Sequence, residues 1–319
     1  MTTIRSAAAS ALPTLSALAG GDKRMLARAL AAIETDAGSP ALAALLDAAC
    51  EAARAHVLGL TGPPGVGKST LASALVTRAR ARGETIGVIA VDPSSRRTGG
   101  ALLGDRARIT TDPNDTGVFI RSMAARDRLG GLSNETIAAM VLMRAIYDRV
   151  LIESVGIGQS EADISFAADT VVLCVQPGSG DSLQFMKAGV MELPEVIAVT
   201  KADMGAAAQR ARSDVEGALS LASEHGWRAP VVAVAAARAE GLDDLEEAVA
   251  RHRAFLAEHG RLAQRRDAQE RSWIDETIRT RFGTDGLAAG RDFALPPGGP
   301  FTKELLIADA LSHRLRATT

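Results

Sequence analysis

Apolar residues recur along this chain in two rhythms. Short runs rich in Val, Ile and Leu occupy 57–60, 86–91, 118–120, 150–152, 171–175, 196–199 and 231–234, the length and composition of buried strands. Between most of them lie longer stretches whose apolar residues are three and four positions apart, as on an amphipathic helix. Strand and helix in alternation predict βαβ units, and so an α/β fold: a mostly parallel sheet with helices on both faces. Upstream, residues 22–54 predict amphipathic helices broken at Gly38-Ser39-Pro40. Downstream, 242–281 predicts helix, with Gly283, Gly286 and Gly290 as breaks, then a Pro- and Gly-rich loop at 296–300 and a last helix from Lys303. The expected organisation is an N-terminal helical arm (1–54), a core (55–260) and a C-terminal helical extension (261–319) suited to self-association.

Composition narrows the chemistry. Hydrophobic residues make up 47% of the 319 residues but aromatics only 3%, so the core must be built from Ala, Val, Leu and Ile. The net charge of -2, with no long block of one sign, gives no electrostatic footprint for nucleic acid or an anionic membrane. Small molecules and proteins are the expected partners. Cys50 and Cys174 are the only cysteines; they stand far apart, which argues against a disulfide scaffold or thiolate metal site and suits a reducing, cytoplasmic setting. The longest apolar runs are strand-sized, so no membrane span is expected. Residues 1–19 have the acid-free, Ala- and Ser-rich composition of a transit peptide but only one basic residue, Arg5.

After the first strand comes Gly62-Pro63-Pro64-Gly65-Val66-Gly67-Lys68-Ser69-Thr70, followed by a helix-like run through Ala81. This is the G-x-x-x-x-G-K-[ST] phosphate loop in its strand–loop–helix setting, which makes the fold a P-loop NTPase. Glycines let the backbone wrap the phosphates and aim N–H groups at them, aided by the positive end of the next helix. Lys68 is expected to reach the β and γ phosphates, and Ser69 to offer its hydroxyl to Mg²⁺. Proline at 63 replaces the extra lysine that some dimeric ATPases of this class carry near the loop's start.

The base is read further along. Thr200-Lys201-Ala202-Asp203 follows the 196–199 strand as a form of [NT]-K-x-D. Guanine offers two adjacent donors, N1–H and its 2-amino group, which one carboxylate can accept; adenine offers neither pairing, so Asp203 selects GTP and GDP over ATP. The stem of Lys201 would cover one face of the base. Thr200 stands where Asn is usual, and the substitution removes an amide that would tie this loop to the phosphate loop. After the 231–234 strand, Ala235-Ala236-Ala237 could present a backbone N–H to guanine O6.

For metal and hydrolysis, Glu153 in Glu153-Ser154-Val155-Gly156 ends the 150–152 strand, where P-loop enzymes carry an acid that orders the Mg²⁺ shell or the attacking water. Asp92 opens a polar, glycine-ended segment to Gly100 that reads as a switch and supplies a second metal or water ligand; Asp105 is a third. Gln159 invites a water-orienting role and is as often structural. Arg108, Arg121 and Arg126 are each candidates for transition-state charge. His252 and His259, seven apart, read as a solvated helix face rather than a metal pair.

Read together, these motifs resemble the MeaB and ArgK family of GTPases, chaperones of cobalamin-dependent acyl-CoA mutases such as methylmalonyl-CoA mutase. The resemblance is carried by the phosphate loop, Val91-Asp92-Pro93-Ser94-Ser95 to Thr98-Gly99-Gly100, Leu103-Gly104-Asp105 and Leu129-Gly130-Gly131. It continues in Glu153 to Glu161, Pro177-Gly178-Ser179-Gly180-Asp181 and the Thr200 motif. It implies a homodimeric GTPase of slow intrinsic turnover, stimulated by its mutase, that gates cobalamin loading and protects the mutase. It also implies that Lys187, in a switch at 177–188, assists hydrolysis. Asp127 and Ala235 depart from the family pattern, and the tail after about residue 285 matches no pattern of it. Rival readings are a nickel-insertion GTPase, which lacks here its His-rich tail or Cys/His site, a kinase using the same loop, and a GTP-dependent scaffold without hydrolysis.

Overall fold

The computed structural model describes residues 12–92, 109, 112, 114–125, 132–154, 163–178, 194–219, 226–293 and 296–317. Seven parallel strands form one sheet: β1 (His56–Thr61), β2 (Ile86–Asp92), β3 (Val118–Ala124), β4 (Arg149–Glu153), β5 (Thr170–Val175), β6 (Val196–Val199) and β7 (Val231–Ala233). Their order is β3-β2-β4-β1-β5-β6-β7, and every run expected as a strand is one. Strands β2, β5 and β6 are buried along their whole length because helices cover both faces, which is why their sequences show no alternation.

One face carries α1 (Leu15–Ala19), α2 (Lys23–Thr35), α3 (Pro40–Glu51) and α5 (Asn134–Ile146); the other carries α4 (Lys68–Ala81) and a later helix, α7 (Leu242–Ala257). Their starts are written locally. Asp22, Ser39 and Ser133 each cap a following helix through a side-chain oxygen, and Pro40 sits at the first turn of α3, where its missing N–H costs nothing. Leu26, Leu30, Ile33, Leu42 and Leu46 of the arm share one apolar cluster with Met140 and Leu142 of α5 and Val57, Ile89 and Ile152 of the sheet. At roughly 1.5–3 kcal/mol for each large aliphatic side chain buried, such contacts hold the arm against the core.

Helix α6 (Ala206–Leu219) flanks β6 and β7, and after α7 the chain forms α8 (Arg261–Arg291) and α9 (Pro300–Ala317). Three sequence expectations change here. Of the expected glycine breaks in α8 only Gly283 leaves helical geometry, at φ 75°. Gly290 instead lets α9 approach: a Cβ there would lie 2.9 Å from Ile307 Cγ2. The last helix begins at Pro300, before Lys303, because Asp47 of α3 accepts the N–H groups of Phe301 (2.9 Å) and Thr302 (3.1 Å). That cap comes from about 250 residues away and leaves no local trace. His252 is buried on α7, while His259 lies beyond that helix with φ 53°, so the two share no solvated face. No helix among the described residues is long and apolar enough to cross a membrane.

Candidate functional site

The carboxyl ends of the parallel strands converge where the strand order turns back around β1, the place such sheets reserve for ligands. Between β1 and α4 the phosphate loop closes on itself. Gly62 has φ 131°, and a Cβ there would stand 2.2 Å from the carbonyl oxygen of Cys174 on β5, so no other residue fits. Gly67, at φ 105°, begins α4 without a side-chain cap, and no acid occupies the first turn. The first amides of α4 are thus left to an incoming anion. Lys68 is buried, and its Nζ donates to the carbonyls of Gly62 (2.6 Å) and Pro63 (3.1 Å). Those acceptors belong to the loop itself.

Ser69 and Glu153 meet across the loop. The Ser69 hydroxyl donates to Glu153 Oε1 at 2.6 Å, leaving the hydroxyl lone pairs available to a cation. Asp92 and Glu153 end the adjacent strands β2 and β4, and both are buried. Two carboxylates and a hydroxyl form an all-oxygen donor set of the hardness Mg²⁺ takes, with phosphate oxygens and water completing a shell. The residues fit the ion. Asp105, Lys187, Gln159, Arg108 and Arg126 lie outside the described residues. Arg121 does not face this site: it pairs from β3 with Glu34 of α2, tying the arm to the sheet edge.

The base loop stands beside the phosphate loop. The Thr200 hydroxyl donates to the Val66 carbonyl (2.7 Å) and lies 3.0 Å from that of Val175. The tie expected to be lost with the missing Asn is therefore made by a hydroxyl. Lys201 adopts φ 53°, a conformation uncommon outside glycine, and its Nζ donates to Gly65 O (3.1 Å) and Gln176 Oε1 (2.6 Å). Asp203 is 37% exposed, not buried, and lies 3.7 Å from Arg238 Nε. Ala235 is buried and pairs with Glu240, after which Ala236–Arg238 forms a single tight turn. The first N–H groups of that turn, those of Ala236 and Ala237, have no partner within it.

Sequence reasoning missed Gln176 and Arg238. Gln176 follows β5 directly, and the pairing of Val175 with Val199 sets it beside the base loop; only the β5–β6 neighbourhood identifies it. Arg238 was one residue past the alanines already singled out.

A phosphate loop, a base-reading loop and a strand-end acid on one parallel sheet define the class: this is a P-loop GTPase. The comparisons carry the identification to the family. Residues 26–289 match the family model described as methylmalonyl Co-A mutase-associated GTPase MeaB, and the chain belongs to that family. A relative in Pyrococcus horikoshii, named as a GTPase, is 43% identical over 265 residues, 82% of each chain. The GTPase ArgK of Escherichia coli is 34% identical over 241 residues, 74% of this chain and 72% of that one. The mouse mitochondrial methylmalonic aciduria type A homolog is 34% identical over 236 residues, 71% of this chain and 57% of that one. Among solved structures, a LAO/AO transport system kinase superposes with TM-score 0.67 at 26% identity, covering 95% of this chain and 96% of that one. The protein binds guanine nucleotide and hydrolyses GTP.

Proposed function

We propose that this GTPase is a chaperone for a cobalamin-dependent acyl-CoA mutase such as methylmalonyl-CoA mutase, gating cofactor loading and protecting the loaded enzyme. The observation that carries the reading is the Ser69–Glu153 contact: it joins the phosphate loop to the strand end from which the segment Glu153 to Glu161, a carrier of the family resemblance, departs.

In this reading Lys68 exchanges its bonds to Gly62 and Pro63 for the β and γ phosphates. Asp203 accepts the two guanine donors, Lys201 covers the ring, and the amides of Ala236 and Ala237 meet O6. Ser69, Asp92 and Glu153, with Asp105, would hold Mg²⁺, which when bound neutralises charge developing on the transferred phosphoryl group. Lys187 assists hydrolysis. The phosphate-dependent arrangement of the switch segments then alters the surface offered to the mutase. We further assign 1–54 to an arm, 55–260 to the GTPase core and 261–319 to a homodimerising extension, and place the protein in the cytoplasm.

The test is steady-state hydrolysis of GTP and ATP with and without a cobalamin-dependent acyl-CoA mutase from the same source. GTP-selective turnover that rises with the mutase supports the chaperone reading. Turnover indifferent to every such mutase removes it, and labelled γ-phosphate appearing on protein rather than in solution replaces it with a kinase.

A further inference from the structure

At the opposite end of the sheet, the face covered by α4 and α7 holds a second feature. Helix α4 lies over β1, β2 and β4, and α7 over β5, β6 and β7. Between them is a cavity of about 340 Å³, within the size range of small-molecule sites, about 300–1,000 Å³. Its walls are apolar: Leu58, Leu75, Ile86, Leu151, Leu245 and Val249.

The charges at its edge divide into two groups. Arg82 pairs with Glu84 and Glu246, and Arg149 with Glu84, so these four groups neutralise one another. The Arg82–Glu246 pair also ties the end of α4 to α7, together with Arg78 on Glu246 and Asp243. Arg253 has no ion pair among the described residues. It lies on the α7 stripe of Leu245 and Val249, four residues beyond the latter. On the inner wall, burial pushes the His56 imidazole down to about 4, with Asp169 opposing and Arg253, Arg266 and Arg149 assisting. Of the three arginines in the lining, Arg82 and Arg149 are committed to carboxylates and Arg253, among the described residues, is not. Glu247 is exposed at the rim.

We propose that this cavity binds a small amphipathic carboxylate, its acyl chain between α4 and α7 and its carboxylate on Arg253. The arginine supplies charge-assisted, two-pronged recognition of a carboxylate, and the walls supply burial for the chain. No residue of the nucleotide site lines the cavity, so this inference stands apart from the chaperone reading. The helix that begins at the phosphate loop ends beside it, with Leu75 and Arg82 in its wall.

The test uses the full chain and two probes with the same tail and opposite heads, octanoate and octylammonium, followed by calorimetry and by the NMR signals of His56. Expected are saturable one-to-one binding of octanoate, a perturbed His56 resonance, and binding of octylammonium at least tenfold weaker. R253E, an exposed change on α7, should weaken octanoate at least tenfold and leave GTP turnover without octanoate unchanged; Leu245→Phe, filling the cavity, should do the same to binding. Equal binding of both probes, octanoate binding untouched by R253E, or no saturable binding up to the solubility of octanoate would each overturn the proposal.

Discussion

The two ends of this sheet both bury charge, and they do so to different purposes. At the carboxyl end Lys68 is held by carbonyls of its own loop. At the amino end Asp169, wholly buried, accepts a two-pronged contact from Arg266 of α8 (3.0 and 2.7 Å) and the N–H of Val57 (2.8 Å). Burial alone would raise the Asp169 carboxyl, but the Arg266 bonds and the nearby His56 hold it below the usual carboxylate range. Beside it Thr170 bridges two imidazoles, 2.8 Å from His56 Nε2 and 2.7 Å from His252 Nδ1; the hydroxyl can donate to one ring and accept from the other. This second network is closed, each group answered by a side chain or strand amide. A buried charge is thus no mark of function in itself. What distinguishes the nucleotide end is that its partners are loop carbonyls a phosphate can displace, whereas the other end locks α8 onto the strands.

The sharpest way to break the comparison is to delete one cation at each end. Lys68→Ala should lower GTP turnover by about 10²–10³-fold or more, the scale for losing a charge-stabilising donor, while the thermal midpoint changes little. Arg266→Ala should do the reverse: an uncompensated Asp169 costs about 3–5 kcal/mol of stability, read by urea unfolding, with turnover per folded molecule retained. If Arg266→Ala silenced the folded enzyme, the division between the ends would be lost. At the base loop, Asp203→Asn should move the preference from GTP towards xanthosine triphosphate by about 10–100-fold; an unchanged ratio of kcat/KM would exclude Asp203 as the base reader.

Acid should act on the amino end. Burial pushes His56 down to about 4, with Asp169 opposing and Arg253, Arg266 and Arg149 assisting, and pushes His252 down to about 3. The unfolded chain therefore binds protons that the folded chain refuses as pH falls from about 6.5. Stability from the neutral rings is complete above that pH and is lost as pH drops towards 4 and 3. Unfolding followed between pH 7 and 4.5 should show falling stability, with a shallower slope in His252→Phe. An identical slope in that variant would mean that the rings are not the titrating groups. The smallest effect is expected at Thr200: Thr200→Ala should weaken GDP binding by about 2–10-fold, the worth of one neutral hydrogen bond, and Thr200→Asn should restore it.

Much of this was legible in the chain. The seven strands were readable because a parallel strand buried on both faces needs an unbroken apolar run, and the phosphate loop because its geometry admits glycine alone at Gly62 and Gly67. The histidines were misread because spacing reports a helix face and not what packs upon it. His252 lies against the Trp227 ring, centroids 4.8 Å apart, with Trp227 arriving from the β7 side of the sheet. Thr200 was misjudged because a residue type gives a hydrogen-bonding repertoire, whereas reach depends on how closely β6 brings its loop to Val66.

The sequence by itself determined the local elements and the chemistry assignable within a few residues: strand, loop, helix start and base motif. These depend on short-range sterics and on which groups a side chain carries. Only the tertiary structure decided which distant groups meet: Ser69 with Glu153, Lys201 with Gln176, Asp203 with Arg238, Asp47 with the start of α9, and the cavity between α4 and α7. Strand order and helix placement set those meetings, and they arise from packing the whole chain at once, so no window of sequence contains them.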